Sequence, residues 1–101
     1  MENNDPRTIL IGELLVRAGM LSQEDLDDAL DIAKDSRQLI GRVLVMSGFI
    51  TDAQLQVALK AQEHLRSGQI GLDVALSTLR LANKSSISFD QALGRLGRTM
   101  A

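Results

Sequence analysis

The densest set of chemically capable side chains in this 101-residue sequence is the run Glu24, Asp25, Asp27, Asp28 and Asp31. Carboxylates so close together suggest a cation site, but a calcium loop needs a glycine and oxygen ligands at spaced positions, and neither is present. On a helix these side chains diverge around the outer face, where they complement the positive end of the helix dipole. His64 is the single histidine; no carboxylate or serine stands at a spacing that makes it a general base, so surface or packing duty is expected. Gly68 with Gly71, and Gly94 with Gly97, could cradle phosphate, yet neither pair carries the lysine and hydroxyl of a P-loop or follows a strand. No nucleophile, base and orienting group can be assembled from these residues. The expectation is a non-enzymatic protein with no catalytic residues, no metal and no cofactor.

Composition narrows the class further. Apolar residues make up 45% of the chain, and Phe49 and Phe89 are the only aromatics. A core must therefore be built from Leu, Ile, Val, Ala and Met, which favours helices packed on helices. A chain of this length allows one domain and buries only about 60 to 65% of the surface its unfolded form exposes. There is no cysteine, so disulfides and thiolate sites are excluded. Residues 1–65 hold 6 basic and 11 acidic side chains, whereas residues 66–101 hold 5 basic and 2 acidic ones. That balance repels a polyanion over most of the chain and argues against a nucleic-acid partner. The start, Met1 to Pro6, is polar and acidic where a secretory signal is basic and then apolar. Aliphatic runs such as Val43 to Met46 fall far short of the roughly 20 residues that span a bilayer. The expectation is a cytoplasmic protein with no membrane span.

The organising feature is an internal duplication. Residues 10–33 recur as residues 39–62, with identities at Leu10/Leu39, Ile11/Ile40, Gly12/Gly41, Leu15/Leu44, Val16/Val45, Gly19/Gly48, Leu26/Leu55, Ala29/Ala58 and Leu30/Leu59. Leu14/Val43, Met20/Phe49, Leu21/Ile50 and Ser22/Thr51 are close exchanges. Two copies, rather than many, imply a pseudo-twofold small domain and not a solenoid.

Each copy reads as a short helix, a glycine turn and a longer helix. In the first, Ile9, Ile11, Leu14, Leu15 and Ala18 share a face, Gly19 stops the helix, and Ser22 with Asp25 starts the next. Leu26, Ala29, Leu30 and Ala33 form the expected buried stripe of that second helix. In the second copy, Ile40, Val43 and Leu44 give the inner face, Gly48 the stop, and Thr51 with Gln54 a capping box. Leu55, Ala58, Leu59 and Leu65 are the expected stripe of helix four. Beyond a break at Ser67 to Gly71, Leu72, Ala75, Leu76, Leu79 and Ala82 mark a fifth helix. Ser88 with Gln91 opens a sixth that runs through Ala92, Leu93 and Leu96 to Gly97. The fold expected is all-α: six helices in a single domain, two tandem helix-turn-helix repeats plus a C-terminal helical hairpin. Residues 1–8 form a disordered or extended N-terminus, 9–66 the repeat region and 67–101 the hairpin packed on it.

The repeated pattern of Leu-Ile-Gly, Leu15 or Leu44, Gly19 or Gly48, and then Leu26 to Leu30 or Leu55 to Leu59 resembles the N-terminal domain of general secretory pathway protein E and of type IV pilus assembly ATPases. The two 24-residue copies and the five residues between them match the tandem motif of the MshE N-terminal branch, which binds cyclic di-GMP. The resemblance implies ligand-binding positions at Leu10, Ile11, Gly12, Leu15, Gly19, Leu26 and Leu30 in one copy. In the other copy they are Leu39, Ile40, Gly41, Leu44, Gly48, Leu55, Leu59 and Gln62. The family motif opens Arg-Leu-Gly, and here leucine stands at both arginine positions; the closing glutamine survives only as Gln62, opposite Ala33. A guanidinium grips guanine O6 and N7 with two bonds worth about 1 to 3 kcal/mol, which leucine cannot supply. Arg7 and Arg37 lie upstream of the vacant positions and could reach back. The helix starts at Ser22 and Thr51 could offer N–H groups to phosphate. The apolar motif positions, Leu14 and Val43 among them, serve either as a purine-stacking surface or as helical core.

With no Walker motif in the chain, the resemblance implies a stand-alone copy of a regulatory module. The leading expectation is an adaptor acting by protein–protein contact, with a secretion or pilus component as a possible partner, through the acidic repeat face or the basic hairpin. The alternative is a cyclic di-GMP receptor with a variant site. A third possibility is a homodimer in which helices five and six pair their apolar stripes.

Overall fold

The structure, a computed structural model, describes residues 9–97. The expectation for residues 1–8, and the last four residues of the hairpin, lie outside that range. Among the described residues are six helices: α1 (Ile11–Arg17), α2 (Gln23–Ser36), α3 (Ile40–Met46), α4 (Asp52–Ser67), α5 (Leu72–Ser85) and α6 (Phe89–Arg95). No strand occurs among those residues, and the all-α expectation holds.

Local chemistry sets the helix ends. Gly19 and Gly48 adopt φ of +77° and +78°, which a side chain resists and glycine does not. They let Met20 N–H reach the Leu15 carbonyl and Phe49 N–H reach the Leu44 carbonyl, each at 3.0 Å. Each closes a short helix with an apolar residue just beyond the glycine, as a Schellman ending requires. The following helices start on side-chain caps. Ser22 accepts from the Asp25 N–H, and Thr51 with Gln54, like Ser88 with Gln91, forms a complete capping box. Two helices end on a left-handed residue that is not glycine, Arg37 after α2 (φ +59°) and Ser86 after α5 (φ +54°).

Seven-residue helices are far too short to hold themselves together, so α1 and α3 depend on what they pack against. The contacts run crosswise: α1 lies mainly on α4, and α3 mainly on α2. Leu14, Leu15, Val43 and Leu44 are buried at this crossing. Gly12 and Gly41 allow the short helix to approach the leucine of its own following helix. A Cβ on Gly12 would lie 2.6 Å from Leu26 Cδ1, and one on Gly41 3.1 Å from Leu55 Cδ1.

Helix α4 is the spine, contacting α1, α3, α5 and α6. Its buried face is Ala58, Ala61, His64 and Leu65. His64 is therefore a packing residue: its Nδ1 donates to the Lys60 carbonyl at 2.9 Å, and its ring lies 5.1 Å from that of Phe89, joining α4 to α6. Gln54 Nε2 donates to Asn83 Oδ1 and Arg80 donates to the Arg17 carbonyl, which pins the C-terminal half of α5 to the repeat region. Ala75, Leu79, Ala92 and Leu93 are buried, so much of the stripes of α5 and α6 is spent inside the chain, while Leu96, expected in the sixth helix, caps its end and is exposed. The whole is a slab of 43 × 33 × 18 Å, and 18 Å holds two helix layers at the usual spacing of about 8 to 10 Å.

Two glycines give opposite expectations. Gly48→Ala forces a side chain into the left-handed region and should cost about 1 to 2 kcal/mol. Gly94→Ala, inside α6 with no heavy atom near its Cβ direction, should gain about 0.5 to 1 kcal/mol. Thermal melting checks both, since each kcal/mol moves the midpoint by roughly 4 to 8 °C at this size.

Candidate functional site

Crosswise packing sorts the repeated apolar residues into two groups. Leu15 and Leu44 are fully buried, as are Leu14 and Val43, and none of the four lines a surface cavity. They belong to the core, which removes them from any stacking surface. Leu10 and Leu39 go the other way: they are the cap residues of α1 and α3, 72% and 82% exposed. Both have extended backbone and make no side-chain cap bond. Leu30 and Leu59, expected in the buried stripes of α2 and α4, are instead more than 40% exposed. They sit four residues beyond Leu26 and Leu55, where the short helices no longer cover the long ones.

These outward residues enclose one groove of about 840 Å³. From the first copy it takes Leu10, Ile11, Gly12, Leu26 and Leu30; from the second, Ile40, Gly41, Leu39, Leu55, Leu59 and Gln62. Val45 and Met46 of α3 extend the apolar lining. Its charged members are Glu13, Arg42, Asp52 and Arg66. Glu13 is bridged to Arg17 at 2.8 Å, whereas Arg42 and Arg66 form no ion pair among the described residues. Gln62 donates through Nε2 to the Ile9 carbonyl at 3.1 Å. This side chain, singled out as a ligand contact, thus also ties α4 to the chain entering α1.

The remaining expected positions lie elsewhere. Gly19 and Gly48 serve the turns and do not line the groove. Arg37 caps the end of α2 without reaching it, and Arg7 lies outside the described residues. At each helix start offered for phosphate, one N–H is held by the cap side chain. Ser22 Oγ holds the Asp25 N–H and Thr51 Oγ1 holds the Gln54 N–H, each at 3.0 Å. Thr51 opens onto a second cleft of about 650 Å³ between α4 and the α5–α6 turn, lined also by Met20, Lys60 and Phe89. Sequence reasoning did not find Arg42, Arg66 or Met46 as groove residues. The signal available was position: Arg42 follows the repeated glycine directly, and Arg66 lies one helical turn beyond Gln62.

Among the described residues no three His, Cys, Asp or Glu side chains converge to hold a metal ion, and no helix is long and apolar enough to cross a membrane. The groove offers an apolar floor with charges of both signs at its edge, an arrangement that binds apolar or amphipathic surfaces. Compared with protein-family models, with curated proteins and with solved structures, the chain matches none.

The division between core and groove can be measured. Leu44→Ala should cost about 2 to 5 kcal/mol, and Leu39→Ser, at the exposed cap of the same helix, should stay within about 0.5 kcal/mol. Urea unfolding of the two variants against the wild type separates them.

Proposed function

We propose that this chain is a non-enzymatic regulatory or adaptor module that acts by protein–protein contact, and that the groove between the two repeat copies is its docking face. One observation carries the reading. Of the seven large hydrophobic side chains most exposed among the described residues, Leu10, Leu30, Leu39, Met46 and Leu59 stand around this single groove. Contiguous exposed apolar patches are uncommon on monomers and mark interaction surfaces. The two copies meeting at one site agree with an approximate twofold arrangement of the repeats and with the resemblance to secretion and pilus ATPase N-terminal domains. Outside the groove, α2 and the basic hairpin each expose a single large apolar side chain, Ile32 and Leu96, against five around the groove, which takes their place as the favoured docking surface.

The test is affinity capture from cells that make the protein, comparing wild type with the Leu10→Glu/Leu39→Glu variant. Both positions are exposed, so the variant should keep its helical circular dichroism and melting point. Docking in the groove predicts proteins retained by the wild type and lost by the variant; identical capture by both contradicts it.

A second reading, a cyclic di-GMP receptor with a variant site, is favoured by one specific fact. Motif positions of both copies line the same groove, and Arg42 and Arg66, which sequence reasoning passed over, stand there as guanidinium donors. On this reading calorimetry detects cyclic di-GMP binding, and Leu10→Arg/Leu39→Arg tightens it by about tenfold or more. No heat from either protein at roughly hundreds of micromolar ligand excludes any affinity of use.

A further inference from the structure

We propose that the groove is occupied, in the absence of another partner, by a second copy of this chain. The proposal rests on reading the groove as an interaction face and names its occupant. Charge complementarity carries it. The groove edge holds two acids, Glu13 and Asp52, and two bases, Arg42 and Arg66, so it presents no net charge. A strongly acidic or basic partner gains no overall attraction there, whereas a surface bearing both signs is matched by a copy of itself.

The placement of two of these charges is more specific. Glu13 and Arg42 are the same position of the two repeat copies, each following the repeated Leu-Ile-Gly. They stand in the first turns of α1 and α3, the two short helices that flank the groove. Their apolar surroundings are alike and their charges are opposite. A twofold dimer pairs residues off its axis reciprocally, one with another of its mate and the reverse. Such pairing sets Glu13 against the partner's Arg42 and Arg42 against the partner's Glu13, with Leu10 and Leu39 of both copies closed in between. Two identical acids or two identical bases at these positions would repel in the same arrangement.

Neither charge is held in a buried ion pair among the described residues. The bridge from Glu13 to Arg17 joins side chains about half exposed, four residues apart on one helix. Such a surface pair is weak and exchanges readily. Arg42 has no ion partner among the described residues. The leucines at 72% and 82% exposure supply the apolar area whose removal from water drives association.

Sedimentation and light scattering of the full chain, from about 1 to 500 μM, test this directly. The wild type is expected to dimerise in that range, which corresponds to the micromolar affinities of modest interfaces. Glu13→Arg alone and Arg42→Glu alone place like charges together and should weaken dimerisation by about tenfold or more. Mixing the two single variants in equal amounts restores both ion pairs and should return the dimer, as should the double exchange E13R/R42E in one chain. A wild type that stays monomeric throughout overturns the proposal, and so does a mixture no more associated than its components. Single variants that dimerise like wild type place the contact on another face and also overturn it. If the wild type is monomeric while partner capture still depends on Leu10 and Leu39, the second copy is removed and the docking face stands. Loss of both removes both.

Discussion

Two seven-residue helices that cannot stand alone impose the constraint on which the rest of this structure depends. Neither α1 nor α3 has the length to propagate on its own hydrogen bonds, so each is held by burial of its leucines against a long helix. That helix belongs mainly to the other half of the repeat region, α4 for α1 and α2 for α3. Neither half can complete its core without the other. Folding of residues 9–66 is therefore expected to be cooperative, with no stable single hairpin.

The groove is a geometric consequence of that crossing. Short helices cover only part of the long ones, and what they leave uncovered, Leu30 on α2 and Leu59 on α4, remains at the surface. The capping residues Leu10 and Leu39, exposed and without a cap bond, line the same groove. A polar residue at either position should cost the fold little, since both side chains are mostly exposed. The slab is only two helix layers thick, and among the described residues no further helix covers this face. On the far side of α4, the hairpin of α5 and α6 fills the remaining apolar surface through Leu79, Phe89 and Leu93. It buttresses the spine that both halves share.

Much of the scaffold was legible in the sequence because its signals are local. The glycine stops at 19 and 48, the Ser22 cap and the capping boxes at Thr51 and Ser88 each depend on residues a few positions apart, and all appear as read. The end of α2 was less legible, since Arg37 takes a left-handed conformation that usually announces itself with glycine. The site was legible only in part. Helical periodicity identifies a stripe, but how far along that stripe a neighbour extends is a tertiary fact, so Leu30 and Leu59 read as buried and are not. The same reason separates Leu10 from Leu15, and Leu39 from Leu44, though both pairs repeat identically. Arg42 was missed because it stands opposite Glu13, and a residue that differs between copies is invisible to a search for sameness; Arg66 lies beyond the second copy, which ends at Gln62.

Methyl-resolved nuclear Overhauser spectra offer the most direct measurement of the crosswise packing. Methyls of Leu14 and Leu15 should show strong contacts to α4, and those of Val43 and Leu44 to α2. Contacts confined to the long helix that follows each short one, α1 to α2 and α3 to α4, would contradict it.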